Sequence, residues 1–439
     1  MLPDATLPVP ASFMALLSSF GPLFAAPSFR TFCGLACGFL AQTGKRTVCG
    51  MLTGAGLSRL WSHDRAHRFF SRARWDPDEL GLAVARIVVR LLVPDGEPVL
   101  VAVDDTLLPR RGKKVWAASW FHDGSAQGAV KTGYGNNWVV AAIIVRLPVV
   151  ARPVAVPVMA KLVIKGTTSS SRLWLARRMV QALAGALPGR AVRVVADSAY
   201  AGGELKCLPA AVTWTTRLRK DAALYGLPPA RSGKRGRPRA KGDRLPPLAR
   251  LAATTTFAQV TVTRYGKQAT IQAAAVTCLW YSVFGSRPVT VVLVRDKSAS
   301  GCDLALVTTD ATATAAQVIE RYATRWAIEV AVEDAKQLFG CGQARNRVAA
   351  AVERTVPFQL ACQAIAILWY ATAGHDPADV EDRRTSAPWY ASKVQPSTAD
   401  MTAKLRRVII AARFKAPRPD QPTPSEMSAL RLAWEDAAA

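Results

Sequence analysis

Apolar residues recur at helical spacing through the first part of the chain. The segments SFRTFCGLACGFLAQ and ELGLAVARIVVRLLV place apolar side chains three or four residues apart, with glycine and proline between the two segments. Such spacing gives a helix one apolar face that can pack into a core. We therefore predict that residues 1–95 form a helical N-terminal region.

After residue 95 the pattern changes to short, continuous apolar runs, which are typical of buried strands. Three runs come first: VLVAVDDT, WVVAAIIVR and ARPVAVPVMAKLVI. A helical stretch, SRLWLARRMVQALAGAL, separates them from a fourth run, AVRVVAD. The order of three strands, a helix and a strand predicts the first part of an α/β core over residues 96–205.

Strand-like runs continue through residues 206–300, which we interpret as a β-rich insertion. The run FAQVTVTRYGKQATIQAAAV contains Tyr-Gly-Lys, which indicates a hairpin turn. Residues 231–244, RSGKRGRPRAKGDR, are rich in glycine, proline and positive charge and lack apolar periodicity. We interpret this segment as a basic loop that faces DNA.

The remaining chain returns to helical patterns. Residues 301–345 contain a strand-like run, ALVTTD, and a long helix predicted from about Ala315 to Phe339. Residues 346–439 contain another apolar helix, PFQLACQAIAILWYATAG, and two linkers rich in proline and serine. We predict a final core strand and helix over 301–345 and a helical C-terminal region over 346–439.

The charge of the chain indicates a class of partner. Lys and Arg outnumber Asp and Glu by 57 to 31, which gives a formal net charge of +26. An excess of this size is expected of a protein that binds nucleic acid, although a solvated basic surface would give the same count. The segment LSRLWSHDRAHRFFSRARW interleaves aromatic and basic residues. Such a segment could contact DNA, and it is equally compatible with an ordinary amphipathic helix that has a solvated basic face.

Cysteine spacing and hydropathy argue against a zinc site, disulfides and a membrane span. The eight cysteines include no CxxC pair and no nearby histidine at zinc-ligand spacing. The most apolar region, residues 138–164, is interrupted by Arg146, Arg152 and Lys161. We expect a reduced cytoplasmic protein without a membrane segment.

Acidic residues end two of the apolar strands. Asp104 and Asp105 follow VLVAV, and Asp197 ends AVRVVAD. A buried carboxylate is costly unless it is paired or binds a cation, and the carboxyl ends of strands are where sites assemble in α/β sheets. Each Asp alone could instead cap the following turn. Because adjacent strand residues point to opposite faces, the pattern leaves open whether Asp104 or Asp105 faces the site.

A third acidic residue lies on the predicted long helix. Tyr322, Arg325, Glu329 and Lys336 fall within an arc of roughly 60° on one helix face. A carboxylate flanked by cations can bind a metal ion while the cations hold phosphates. The alternative is a surface helix with ordinary ion pairs, to which Glu333 would also contribute.

The spacing Tyr322-x2-Arg325-x3-Glu329-x6-Lys336 resembles the Tyr-Arg-Glu-Lys signature of a large group of bacterial insertion-sequence transposases. These are DDE enzymes with a ribonuclease-H-like core. DDTLLPRRGKK, YGNNWVV and HRFFSRARW are also similar to segments found in a subset of these transposases. The resemblance covers most of the chain and is weakest before residue 50 and after residue 345.

The resemblance implies a fold and a set of catalytic residues. The fold would be a ribonuclease-H-like mixed sheet flanked by helices, with the β-rich insertion and the helical terminal regions. Asp105, Asp197 and Glu329 would be catalytic and would bind two Mg²⁺ or Mn²⁺ ions. Asp105 is favoured over Asp104 because Thr106 follows it, as in the first Asp-Thr motif of that group.

The resemblance also implies an activity and partners. The enzyme would cut DNA at the terminal inverted repeats of a mobile element and join the 3′-hydroxyls to target DNA, acting as a homodimer near the bacterial nucleoid. Basic and aromatic side chains would contact the DNA, and we expect these to be Tyr322, Arg325, Lys336, Lys113, Arg217, Arg235 and Arg237.

Two other functions and one further role are compatible with the sequence. A DNA-binding descendant that has lost catalysis would keep the same fold, and a basic RNA-binding or scaffold protein could imitate the helix signature through ion pairs. Some relatives use a tryptophan in the insertion to hold a flipped base. Trp214 and Trp280 are candidates for that role or for the core.

Overall fold

The computed structural model describes residues 9–124, 126, 129–230, 238–296 and 301–414, together with residues 424, 425, 427, 428 and 431. The helices are α1 Ala11–Ser18, α2 Ala26–Ala41, α3 Val48–Gly54, α4 His63–Ser71, α5 Pro77–Leu92, α6 Arg172–Ala186, α7 Leu248–Thr254, α8 Tyr281–Phe284, α9 Ala315–Ala323, α10 Trp326–Gln337, α11 Ala349–Trp369, α12 Asp379–Ser386 and α13 Thr398–Phe414. The strands are β1 Val99–Pro109, β2 Ser119–His122, β3 Thr132–Val145, β4 Val154–Leu162, β5 Val192–Ala196, β6 Val212–Arg217, β7 Ala258–Arg264, β8 Lys267–Cys278, β9 Val289–Arg295 and β10 Leu304–Thr308.

The strands form one ten-stranded mixed sheet. The order is β2-β3-β1-β5-β6-β10-β9-β8-β7, and β4 pairs with the remaining part of β3. β1 is antiparallel to β3 and parallel to β5, which is in turn parallel to β6. The strands β4-β3-β1-β5-β6, with α6 between β4 and β5, have the ribonuclease-H-like arrangement, so the expected mixed α/β fold is confirmed.

The second half of the sheet continues the first half. β10 pairs with β6 on one side and with β9 on the other, and β8 and β7 follow. β6, which lies within the predicted insertion over residues 206–300, pairs directly with β5. The predicted hairpin is confirmed between β7 and β8, where Tyr265 and Gly266 both have positive φ, as a tight two-residue turn requires.

Helices cover both faces of the sheet. α5 and α6 pack together on the face to which Asp105 points, whereas α9 and α10 pack on the face to which Asp104 points. α9 begins with a capping box formed by Thr314 and Gln317. The long helix predicted from about Ala315 to Phe339 is instead two helices, because the chain makes a tighter turn at Thr324 and Arg325 between α9 and α10.

The N-terminal and C-terminal helices pack around α11. Helices α1, α2, α4, α5 and α13 all contact α11, and Phe358 on α11 meets an aromatic cluster from the N-terminal helices. Gln363 on α11 also donates a hydrogen bond to the Ala331 carbonyl of α10 at 2.9 Å. The C-terminal region therefore helps to position α10 over the sheet.

One helix among the described residues is long and apolar enough to cross a membrane. It is Ala349–Gly374, which comprises α11 and the turn after it. In its most apolar stretch of 18 residues, 83% is buried inside the protein. This burial is what a central core helix requires, since α11 is surrounded by other helices.

Candidate active site beside two parallel strands

The parallel pairing of β1 with β5 brings two aspartates together. Val103 lies opposite Ala196 in the register, so Asp104, within β1, and Asp197, directly after β5, lie side by side on the same face of the sheet. Asp197 also caps the following turn, because its Oδ1 accepts a hydrogen bond from the Ala199 amide at 2.8 Å. The Asp197 carboxylate therefore caps the turn and also lies beside Asp104.

Helix α10 brings the third acid to Asp104 through an arginine. The Arg325 guanidinium contacts Asp104 Oδ2 through Nη1 at 3.5 Å and Glu329 Oε1 through Nη2 at 2.5 Å. The Arg325 side chain is only 15% exposed, and those of Asp104 and Glu329 are 22% and 32% exposed. One positive charge thus bridges carboxylates from β1 and α10.

Asp105 lies on the opposite face of the sheet. Its carboxylate accepts hydrogen bonds from Asn137 Nδ2 and from the Tyr200 hydroxyl, both at 3.2 Å, and it pairs with Arg172 Nε at 3.1 Å. These partners come from β3, from the turn after β5 and from the start of α6. The structure therefore brings Asp104, and not Asp105, to the side of Asp197 and Glu329.

Burial controls the electrostatics of Asp104. Burial raises the pKa of its carboxyl to about 7, and the nearby negative charges of Asp197 and Asp105 act in the same direction. The Asp105 amide, which donates to Oδ1 at 2.8 Å, and the Arg325 charge oppose this increase. The surroundings of Asp104 therefore disfavour its ionised form, which a further positive charge nearby would stabilise.

Two further predicted DNA contacts, Tyr322 on α9 and Arg217 on β6, are close to the acids. Burial raises the pKa of Tyr322, and the charges that act on its hydroxyl include Arg325, Asp197 and Arg217. Arg217 is exposed at the end of β6. Burial alone would lower the pKa of Arg325, but Tyr322, Glu329 and Asp104 outweigh burial and raise it. Tyr322, Arg217 and Arg325 therefore line the same site.

The other predicted basic contacts lie farther from the acids or outside the described residues. Lys336 is half-buried seven residues after Glu329, which corresponds to roughly 10 Å along a helix. Burial lowers its pKa, and the charge of Asp123 opposes this effect. Lys113 is exposed in the loop after β1. Arg235 and Arg237 of the predicted basic loop lie outside the described residues.

The donor atoms of the acidic site suit a hard divalent cation. Carboxylate oxygens are preferred ligands of Mg²⁺ and Mn²⁺. The oxygens of Asp104, Asp197 and Glu329, all within the described part of the chain, do not all come within 4.8 Å of one another. The Arg325 guanidinium occupies the space between Asp104 and Glu329 and supplies there the positive charge that a metal ion would bring.

Two polar residues that contact Asp105 were not identified from the sequence. Asn137 and Tyr200 are almost completely buried and hold Asp105. A detectable indication was the polar Asn137 inside an apolar strand, whereas no local pattern marked Tyr200. Trp214 and Trp280, considered as candidates for holding a flipped base, are both buried in the core.

Comparisons with known proteins identify the family. A family model described as DDE superfamily endonuclease matches residues 19–283, a range that includes Asp104 and Asp197 and ends before Glu329. The chain is also similar to a solved structure, the cryo-EM structure of the piggyBac transposase synaptic complex with hairpin DNA, with 12% sequence identity and a TM-score of 0.41 over 93% of this chain and 76% of that chain. No curated protein sequence matches. Because the matched residues span more than half of the chain, the protein belongs to the DDE superfamily endonuclease family.

Proposed function

We propose that the protein is a DNA transposase that cuts the ends of a mobile element and joins the resulting 3′-hydroxyls to target DNA. The observation that carries this proposal is the bridge that Arg325 makes between Asp104 and Glu329, beside Asp197. Three acids from distant parts of the chain thereby lie on the same face of the sheet. Family membership and the net charge of +26 support the same function.

We assign the first catalytic carboxylate to Asp104 in place of Asp105. Asp104 shares a face of the sheet with Asp197 and contacts the arginine that also binds Glu329. Asp105 already has three partners on the other face, namely Arg172, Asn137 and Tyr200. A positioning role for Asp105 follows, since its contacts join β1 to β3 and to the chain after β5.

Asp104, Asp197 and Glu329 would hold two Mg²⁺ or Mn²⁺ ions. When bound, such ions activate an oxygen nucleophile on one side of phosphorus and stabilise the leaving oxygen on the other. Because Arg325 lies between Asp104 and Glu329, its guanidinium would move aside to admit a cation. The displaced guanidinium would then be free to bind a DNA phosphate next to the cut.

The surrounding side chains would fix the DNA backbone. Arg325 and Arg217 would contact phosphates near the acids, Tyr322 would pack between them, and Lys336 and Lys113 would bind farther along the strand. In strand transfer the 3′-hydroxyl oxygen forms a bond to a target phosphorus and the bond from that phosphorus to the target 3′-oxygen breaks. A homodimer that binds two terminal inverted repeats would present both ends to the target.

Cleavage of DNA that carries the ends of the encoding element tests the proposal. The assay compares wild type, Asp104→Asn, Asp105→Asn and Glu329→Gln, each with Mg²⁺ or with EDTA. We expect metal-dependent cutting by wild type and none by Asp104→Asn or Glu329→Gln. We expect Asp105→Asn to retain activity reduced by about 10–100-fold, as for a residue that acts through its neighbours.

The outcomes separate the alternatives. Binding of the ends without cutting by wild type would indicate a DNA-binding descendant that has lost catalysis. An inactive Asp105→Asn variant beside an active Asp104→Asn variant would reverse the assignment of the first carboxylate. Joined products, detected on a labelled target duplex, distinguish a transposase from a simple metal-dependent nuclease.

A further inference from the structure

We propose that Cys49, His63 and His67 form a binding site for Zn²⁺ that connects helices α3 and α4. This site is separate from the carboxylates on the sheet and does not depend on the proposed transposase activity. The three residues lie in the N-terminal helical region, and together they are the group of potential metal ligands that converges in the described part of the chain.

The two histidines share one face of α4. His63 and His67 are four residues apart, which places their side chains one helical turn apart on the same side. Their ring centroids are 4.3 Å apart. Ser62 caps α4 through the Arg65 amide, so the first turn that carries His63 is held in helical geometry.

Cys49 reaches the histidines from the neighbouring helix. Its Sγ is 3.8 Å from His67 Nε2, and ligand atoms of all three residues lie within 4.8 Å of one another. Tetrahedral zinc with ordinary bond lengths would place a sulfur and a nitrogen ligand about 3.6 Å apart. The Cys49–His67 distance therefore needs to change by only a few tenths of an ångström to admit the ion.

The sequence spacing predicts no zinc site, whereas the proposed site depends on how the chain folds. The turn between α3 and α4 folds the chain back, so that residues fourteen positions apart become neighbours. A spacing rule based on short gaps does not detect a site whose ligands are divided between two packed helices. The two histidines at helical spacing were nevertheless visible in SHDRAHRFF.

The ligand types select the metal. Two imidazoles and one thiolate suit borderline or soft ions such as Zn²⁺, whereas Mg²⁺ requires oxygen ligands. Cys49 and His67 also line a cavity of about 800 Å³ together with Arg72, Arg345 and Arg347. Three protein ligands beside an open cavity leave the fourth coordination position to water or to a small anion.

Titration of the metal-free full-length protein with Co²⁺ and then with Zn²⁺ tests the site. We expect one equivalent of Co²⁺ to produce thiolate-to-cobalt charge-transfer absorbance, and one equivalent of Zn²⁺ to abolish it. Cys49→Ser should lose the charge-transfer band. His63→Gln and His67→Gln should each weaken Zn²⁺ binding at least tenfold.

Matched controls keep the test specific. Cys207 is another exposed free cysteine and His122 another exposed histidine, so Cys207→Ser and His122→Gln should bind both metals as wild type does. Circular dichroism of each metal-free variant would verify that the fold is retained. A band that survives Cys49→Ser, or Zn²⁺ affinity unchanged by both histidine substitutions, would overturn the proposal.

Discussion

At the scale of single residues, Arg325 has the most influence on the proposed active site. Its guanidinium lies between Asp104 and Glu329, and all three side chains are largely shielded from water. An interaction between charges in such surroundings is stronger than on the surface, and a charge that loses its partner is correspondingly costly. Arg325 therefore stabilises the metal-free fold while it occupies the space proposed for a cation.

Replacing Arg325 with Ala should make the fold depend more strongly on divalent metal. In EDTA we expect Arg325→Ala to lose about 1–3 kcal/mol of unfolding free energy, because Asp104 and Glu329 lose a shared partner. Mg²⁺ should restore more stability to this variant than it adds to wild type, since a cation can replace the guanidinium. Chemical denaturation with and without Mg²⁺ measures both effects, and equal stabilisation of the two proteins would contradict the prediction.

Acidic residues at unusual positions could be recognised in the sequence, but the faces of the sheet to which they point could not. Asp104, Asp105 and Asp197 were recognisable because each interrupts or ends an apolar run. Which of the first two faces the site depends on the face of the sheet that α10 covers, which is a long-range packing outcome. A shift of one residue in a strand reverses every side chain, so local sequence cannot decide this point.

At the scale of elements, Asp310 fixes α9 to the sheet. This buried residue lies two positions after the end of β10, and its Oδ2 pairs with Arg321 Nη2 of α9 at 2.9 Å and with Arg193 Nε of β5 at 3.4 Å. The Thr312 hydroxyl donates to Oδ1 at 2.8 Å. Because Tyr322 and the turn into α10 come next, these contacts determine where the second half of the site begins.

We expect Asp310→Asn to destabilise the protein by about 3–5 kcal/mol at neutral pH, because Arg321 would remain buried without its anion. Burial alone would raise the pKa of Asp310, but hydrogen bonds from Thr312 and Arg321 outweigh it, so the pKa lies below its ordinary value. A depressed pKa means that the stabilisation is present above the unfolded-state pKa and is lost as the pH falls through the folded-state pKa. The difference in unfolding free energy between Asp310→Asn and wild type should therefore become smaller below about pH 4.

Urea unfolding at pH 7 and at acidic pH measures this difference. Asp243 pairs with Arg239 at the surface, where both side chains are mostly exposed, so Asp243→Asn is a suitable control. We expect this control to change stability by less than about 1 kcal/mol at either pH. An Asp310→Asn variant with equally small effects would show that α9 is held mainly by apolar packing.

Element types were more predictable than element boundaries and pairings. The β7–β8 hairpin was recognisable because Gly266 readily adopts the positive φ of a tight turn, whereas the positive φ of Tyr265 is uncommon for a bulky residue. The division between α9 and α10 was not recognisable in the sequence, because Thr324 and Arg325 are compatible with a continuous helix. Only the hydrogen bonds of the turn reveal its tighter geometry. The pairing of β10 with β6 likewise depends on contacts far apart in sequence.

At the scale of the whole molecule, described helices from the N-terminal region and α13 from the C-terminal region pack around α11. The sequence indicated helices in both terminal regions, but nothing local showed that α11 would pack against α2, α4 and α5. The even burial of α11 explains why its apolar residues show no single face. The terminal helices and the sheet consequently act as one support for the site.

The salt dependence of DNA binding tests how the positive charge of the whole molecule is used. Each phosphate neutralised by a cationic side chain contributes about 0.9 to the slope of log affinity against log salt concentration.

Arg217 is exposed, and its charge acts on Tyr322 beside the acids, so we expect Arg217→Ala to lower the slope by about this amount. Arg384 pairs with Glu381 on α12, and Arg384→Ala should leave the slope unchanged. Glu329→Gln should also keep the wild-type slope or raise affinity slightly, because it removes a negative charge without removing a phosphate contact. Equal slopes for Arg217→Ala and Arg384→Ala would place the DNA away from the acids and would separate binding by this basic protein from the proposed chemistry.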